Sequence, residues 1–172
     1  MMNIRRAGVL ILGLSLTVVI GCGKKSSDVP APTPAATKAV VKISSTGSLD
    51  PGKRIGGITV TAVLPSGVTI KAIPDAQNAS KFVAASGVVT ASGVTDASAA
   101  AFATVDQANR KVQIQVYDQY GFSTGEFVTV ICDIVPGTTP SAGDFGLESF
   151  IAKDLDGADI IGLTAGFTVD LQ

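Results

Sequence analysis

The sequence predicts an all-β domain over residues 39–172, a sandwich or barrel. Three observations carry this. Short runs of alternating apolar and polar residues recur along the stretch. Turn signals rich in Gly, Pro, Asp and Ser separate them. No segment carries a long apolar stripe of helical period. At 134 residues (39 through 172), the stretch is long enough for one hydrophobic core.

The elements follow in order. Val40-Val41-Lys42-Ile43 opens, and Asp50-Pro51-Gly52 turns the chain. Residues 57–64 set Ile58, Val60, Ala62 and Leu64 against Thr59, Thr61 and Val63. Pro65-Ser66-Gly67 is a turn, after which Val68, Ile70 and Ala72 share one face. Residues 81–90 and 101–105 are weaker strands, and the Ala-rich run 96–103 is open to one helical turn. Residues 111–117 point Val112, Ile114 and Val116 inward and Gln113, Gln115 and Tyr117 outward. Residues 126–134 are strongly β-prone, with Phe127 alternating away from Val128, Val130, Cys132 and Ile134. Segments 145–153 and 160–171 close the domain.

Ahead of the domain lie two other segments. Arg5 and Arg6 precede residues 7–20, which carry no charge. A basic start followed by a short apolar core reads as an export signal over residues 1–21, too short to span a bilayer permanently. It ends Val19-Ile20-Gly21-Cys22, which resembles the bacterial lipobox. That resemblance implies cleavage before Cys22 and acylation of its thiol, anchoring the protein in a membrane through acyl chains. The competing reading is ordinary cleavage nearby, with Cys22 left as a free thiol. Gly23 rather than Asp follows, a pattern that resembles onward export to the outer membrane, with a periplasmic or surface-facing domain. Residues 22–38, rich in Pro, Ser and Thr, read as a disordered tether.

Composition narrows the function. The net charge of −1 excludes the basic excess of a nucleic-acid binder. The chain has no His, so the usual general base and the commonest metal ligand are missing. Two Cys exclude a disulfide scaffold, and Cys132, inside an apolar strand, reads as a buried thiol. No nucleophile elbow, Ser-x-x-Lys site or phosphate loop is present. The expectation is a protein that is not an enzyme and has no organic cofactor. Charge is uneven: residues 112–172 hold nine acids and one base, residues 22–111 ten bases and five acids. In a sandwich the two halves interleave.

The order and spacing of the strands resemble a cohesin module, close in fold to a class of carbohydrate-binding modules. Three stretches carry the likeness: the opening strand with Leu49-Asp50-Pro51-Gly52 and Gly57-Ile58-Thr59-Val60; Lys111 to Val116 with Gly125-Glu126-Phe127-Val128-Thr129-Val130; and Phe145 to Ala152 with Asp154-Leu155-Asp156-Gly157 and the last strand. The resemblance implies a nine-stranded jelly-roll sandwich that binds a partner, of dockerin type or another extracellular protein, on one sheet face. It places Lys71, Gln113, Gln115, Tyr117 and Glu148 on that face.

Other readings stay open. Exposed Tyr117 and Tyr120 could stack on sugar rings, making the domain a carbohydrate- or exopolysaccharide-binding module. A structural envelope lipoprotein without a discrete ligand shows the same alternation. Asp154, Asp156 and Asp159 are dense enough to be a candidate calcium site. Their spacing does not fit an EF-hand, and Asp156-Gly157 between apolar strands is also a hairpin signal.

Overall fold

A computed structural model of the chain describes residues 35–95 and 97–172. The signal segment 1–21, Cys22 and the tether up to residue 34 lie outside the described residues. The end of the expected tether does not stay outside the domain, since Lys38 begins the first strand and the Thr37 and Lys38 N–H groups both donate to the Gln172 carbonyl. The remainder forms two packed antiparallel sheets.

Eleven strands are present among the described residues: β1 (Lys38–Thr46), β2 (Ile55–Val63), β3 (Val68–Thr69), β4 (Ala72–Pro74), β5 (Phe82–Ala84), β6 (Val89–Ala91), β7 (Ala100–Asp106), β8 (Lys111–Phe122), β9 (Gly125–Ile134), β10 (Gly146–Asp154) and β11 (Thr164–Leu171). One sheet runs β11-β1-β9-β3, with β6 also on β9. The other runs β10-β2-β8-β7-β5-β4. One turn of 3₁₀ helix (Ala142–Asp144) approaches β11.

The sequence reading has nine strands. Two of its segments divide. Residues 68–72 become β3 in one sheet and β4 in the other, with Lys71 at the crossover. Residues 81–90 become β5 and β6, again in different sheets. The run 96–103 makes no helical turn among its described residues; Ala100 already starts β7.

The core lies between the sheets. β1 and β9 contribute Val41, Ile43, Phe127, Val128 and Val130; β2 and β8 contribute Ile58, Val60, Val112, Ile114 and Val116. Burying each such side chain fully contributes about 1.5–3 kcal/mol. Phe127 and its neighbour Val128 are both fully buried, against the simple alternation. The reason is a bulge: Ile43 pairs with Val128 and Ser44 with Glu126, which leaves Phe127 as the extra residue. Its ring stacks on Phe122, with centroids 6.4 Å apart.

The uneven charge is resolved by pairing across the chain. Lys38–Asp133 (3.0 Å), Lys42–Glu126 (3.3 Å), Lys53–Asp154 and Lys111–Glu148 (2.7 Å) each join the basic half to the acidic half. The pairs other than Lys53–Asp154, whose carboxylate is buried, are solvent-exposed and contribute about 0–1 kcal/mol each, so they cancel charge more than they add stability. The Glu126 carboxyl sits below the usual carboxylate range, chiefly because the Ser92 hydroxyl donates to it at 2.8 Å, with Lys42 adding to the effect.

Candidate functional site

The six-stranded sheet turns one face to the core and the other to solvent. Register identifies the outward residues. Across β8, β2 and β10, Gln113 lies beside Thr61 and Glu148, Gln115 beside Thr59 and Ile151, and Tyr117 beside Gly57 and Lys153. On the other side of β8, Gln115 lies beside Phe102 and Gln113 beside Thr104. Thr104 lies beside Val83, and Val83 beside Ile73.

Four large apolar side chains stand on this face: Phe102 (61% exposed), Tyr117 (50%), Ile151 (49%) and Ile73 (48%). Phe102 and Ile151 lie in one cross-strand row, on either side of Gln115 and Thr59, and Tyr117 stands in the next row beside Gly57, so the three make a band across β7, β8, β2 and β10. The outer face of the other sheet is different. There Lys42, Thr129, Asp133, Thr168 and Asp170 dominate, with Ile131 at 38% the one exposed large apolar residue on its central strands.

One irregularity aims this band and a second bounds it. Glu148 pairs with Thr61 and Phe150 with Val60, so Ser149 is an extra residue in β10, held at φ 43°. Its hydroxyl donates to Thr61 Oγ1 at 3.0 Å. Regular alternation from Glu148 through Ser149, with no bulge, would send Phe150 outward and Ile151 inward. The second irregularity follows Tyr117. Gly57 pairs with Tyr117 and Ile55 with Phe122, so β8 bulges at residues 118–121. Gly121 takes φ 69° there, and Arg54 Nε donates to its carbonyl at 3.0 Å. Asp118 is buried in the bulge and accepts the Tyr120 N–H at 2.9 Å. Non-glycine residues in the left-handed region cost of order 1–3 kcal/mol and persist only where their surroundings hold them.

Tyr117 leans over Gly57. A methyl group at Gly57 would stand 3.1 Å from Tyr117 Cδ1, so the ring occupies the space a side chain would fill. A groove of about 580 Å³ runs beside it, lined by Gly57, Thr59, Tyr117, Ile151, Leu155 and Gly157. A second depression, of about 460 Å³, lies where β5 parts from β7, bordered by Ser86, Gly87, Phe102 and Gln115.

Of the five residues expected on the binding face, Gln113, Gln115, Tyr117 and Glu148 share it. Tyr117 Oη donates to Gln115 Oε1 at 3.4 Å, and Glu148 is paired with Lys111 across β2. Lys71 stands apart: it occupies the crossover between β3 and β4, and its carbonyl accepts the Ala85 N–H at 2.9 Å. Tyr120, 63% exposed, lies in the bulge beyond the face. Phe102, Ile151 and Ile73 were not singled out from the sequence.

The three aspartates sit at the end of β10. Asp154 Oδ1 accepts the N–H groups of Asp156 (3.0 Å) and Ala158 (2.9 Å), and Oδ2 pairs with Lys53. The Lys53 ammonium, with these backbone donors, holds the Asp154 carboxyl below the usual carboxylate range. Asp159 is paired with Lys153 at 2.7 Å. Among the described residues no three His, Cys, Asp or Glu side chains converge as a metal-binding group. The turn reverses the chain as the Asp-Gly signal predicts, with Lys153 bridged to Asp159. The strand that follows, β11, then joins the opposite sheet instead of pairing with β10. Cys132 is fully buried, and burial, with Asp133 adding to it, pushes its thiol up to about 12.

No family model matches the chain, and no curated protein matches it. Among solved structures, a non-cellulosomal cohesin from the hyperthermophilic archaeon Archaeoglobus fulgidus is similar, at 14% identity and a TM-score of 0.49, over 74% of this chain and 75% of that one. The sandwich architecture of the present chain stands on its own strand pairing.

Proposed function

We propose that this domain is a non-catalytic docking module that holds another protein at the bacterial cell envelope. The observation that carries the reading is the exposed band Phe102–Tyr117–Ile151 on the six-stranded sheet, set against a polar face on the other sheet. Contiguous exposed apolar side chains rimmed by polar ones mark interaction surfaces, and aromatic residues are enriched there. Gln113, Gln115 and the Lys111–Glu148 pair supply the polar rim. The bulge at Ser149 supports it further, since backbone strain aims Ile151 outward.

The partner is a small folded module of dockerin type, the class the sequence resemblance implies, so calcium enters with the partner. Cys22, acylated after signal cleavage, tethers the domain to the outer membrane through the segment that precedes β1. The chain's lack of His and its one described thiol, buried and unreactive, support a role without catalysis.

A second reading has its own observation. Phe102 and Tyr117 are exposed aromatics flanked by amides, a surface on which sugar rings could stack. One experiment separates the two. The mature chain is immobilised and exposed to the organism's envelope and secreted extract, with and without a calcium chelator. Retention of a discrete protein only with calcium, lost on Tyr117→Ala, supports docking. Retention of polysaccharide moves the function to glycan binding, and retention of neither refutes both. Palmitate labelling of the wild-type chain, absent in Cys22→Ser, tests the anchor.

A further inference from the structure

Sheet edges invite unwanted pairing, and natural proteins blunt them with short strands, Pro, bulges or charge. Three of the outer strands here are blunted. β4 has three residues and ends in Pro74; β3 has two residues. β10 carries the Ser149 bulge and Lys153. β11 has none of these devices; the 3₁₀ turn Ala142–Asp144 and β10 come near it, but no backbone hydrogen bond joins the 3₁₀ turn to it among the described residues. β11 is eight residues long, holds one charge, Asp170, and pairs with β1 without a register shift from Thr164 to Leu171. Among the described residues no strand pairs with its other edge.

The phase of that open edge can be read. Lys38 and Gln172 exchange both backbone hydrogen bonds, each at 2.9 Å. Hydrogen-bonded and non-bonded pairs alternate along an antiparallel ladder. Thr164, Gly166, Thr168 and Asp170 therefore direct their backbone groups to β1. Ala165, Phe167, Val169 and Leu171 direct theirs to the open edge. The side chains of Phe167 and Val169 are only half-buried, although they face the inter-sheet core.

We propose that β11 pairs antiparallel with β11 of a second copy of this chain, about a two-fold axis at Thr168, to make one sheet continuous through both copies. A strand pairing needs two open edges of matching pattern, and the chain supplies its own. In this register Phe167 lies opposite the partner's Val169 and Ala165 opposite the partner's Leu171, apolar on apolar. Aromatic with β-branched pairs are among the favourable cross-strand combinations. Asp170 lies opposite the partner's Gly166, so no like charges oppose each other. All four residues with outward backbone groups are used, and closed two-fold dimers are the commonest assembly. The proposal does not rest on the docking reading: it concerns the other sheet and leaves the Tyr117 face of both copies free.

The test uses the mature chain with Cys22→Ser, so that acyl chains play no part. Sedimentation is expected to give twice the monomer mass. Val169→Pro removes an N–H that β1 does not use, and Pro is tolerated on an edge of this kind; it is expected to give monomer with the fold intact by circular dichroism. Thr168→Lys, which sets two ammonium groups at the axis, is expected to do the same. Thr168→Cys is the register-specific probe. The two thiols would sit on a non-hydrogen-bonded pair, with Cα atoms about 4.5 Å apart, inside the disulfide range of about 4.4–6.8 Å. It is expected to cross-link under mild oxidant, while Gly166→Cys stays uncross-linked. A chain that stays monomeric up to its solubility limit overturns the proposal. So does a dimer that Val169→Pro and Thr168→Lys leave intact, or one that cross-links no better through position 168 than through 166.

Discussion

Adjacent glycines in β2 give opposite outcomes when each gains one methyl group. At Gly57 the new Cβ would meet Tyr117 Cδ1 at 3.1 Å and Cε1 at 3.3 Å. Those atoms belong to a side chain that is half exposed, so the ring can lift by a few tenths of an ångström. Each weakened carbon contact costs about 0.1–0.2 kcal/mol. Against this, Ala in place of Gly inside a strand gains about 0.5–1 kcal/mol from the smaller entropy of the unfolded chain. Gly57→Ala is therefore expected to leave stability unchanged or to raise it by about 0.5 kcal/mol. At Gly56 the new Cβ would meet the Asp154 carbonyl oxygen at 2.8 Å, Leu155 Cα at 3.0 Å and the Asp154 carbonyl carbon at 3.1 Å. All three are backbone atoms of a turn fastened by Lys53 and two amide donors. They cannot give way cheaply, and Gly56→Ala is expected to cost about 1–3 kcal/mol, the range of overpacked sites. Urea unfolding followed by circular dichroism reads both as midpoint shifts. Equal destabilisation by the two variants would refute the reasoning. It would mean that Tyr117 is clamped as firmly as the core and is not a movable part of an exposed face.

The remaining predictions concern the core, the bulge and pH. Phe122→Ala removes a fully buried ring stacked on Phe127, and urea unfolding should show a loss of about 3–5 kcal/mol; a loss below 1 kcal/mol would mean that the two rings do not pack as described. Ser149→Asn should be tolerated, because Asn accepts the left-handed region. Ser149→Val should lower stability by about 1–3 kcal/mol in the same measurement, and an unchanged midpoint would show that the bulge stores no strain. Asp154 has a depressed pKa, so its contribution is complete above the unfolded carboxylate value of about 3.9 and fades as pH falls through the lower folded value. Lys53 has the converse behaviour: its raised pKa stabilises below about 10.4 and is lost at higher pH. Asp154→Asn should flatten the acid limb of stability measured from pH 5 downward, and an unaltered limb would assign acid sensitivity to other carboxylates.

How much of this was legible depended on whether the chain stays in one sheet and keeps its alternation. β2 and β8 are central, paired on both sides, and free of irregularity over residues 57–63 and 111–117. Their hydropathy therefore placed Gln113, Gln115 and Tyr117 outward correctly. Glu148 was legible for the same reason, lying ahead of the β10 bulge. Where the chain changes sheet, alternation gives no sign of it. Val68, Ile70 and Ala72 keep the same pattern whether they lie in one strand or two, so the crossover at Lys71 was invisible. Bulges hide in the same way. Phe127-Val128 and Phe150-Ile151 are adjacent apolar pairs, and such pairs are the signal that could have found both irregularities. Ile151 was missed on that account. Phe102 was missed because three of the seven residues of its strand are Ala, although Ala101, Ala103 and Val105 alternate against it. Four of the ion pairs join residues dozens of positions apart, and only the summed charges of the two halves hinted at them.

The docking face can be tested most directly by titration. The protein retained by the mature chain would be titrated into three forms of it by calorimetry. One is wild type. The second carries Phe102→Ser, Tyr117→Ser and Ile151→Ser on the six-stranded sheet. The third carries Val40→Ser and Ile131→Ser on the outer face of the other sheet. A central apolar cluster contributes at least about 2 kcal/mol, so the second form is expected to bind about 30-fold or more weaker while the third binds like wild type. Equal affinity across all three forms, or a loss confined to the third, would contradict the assignment of that face.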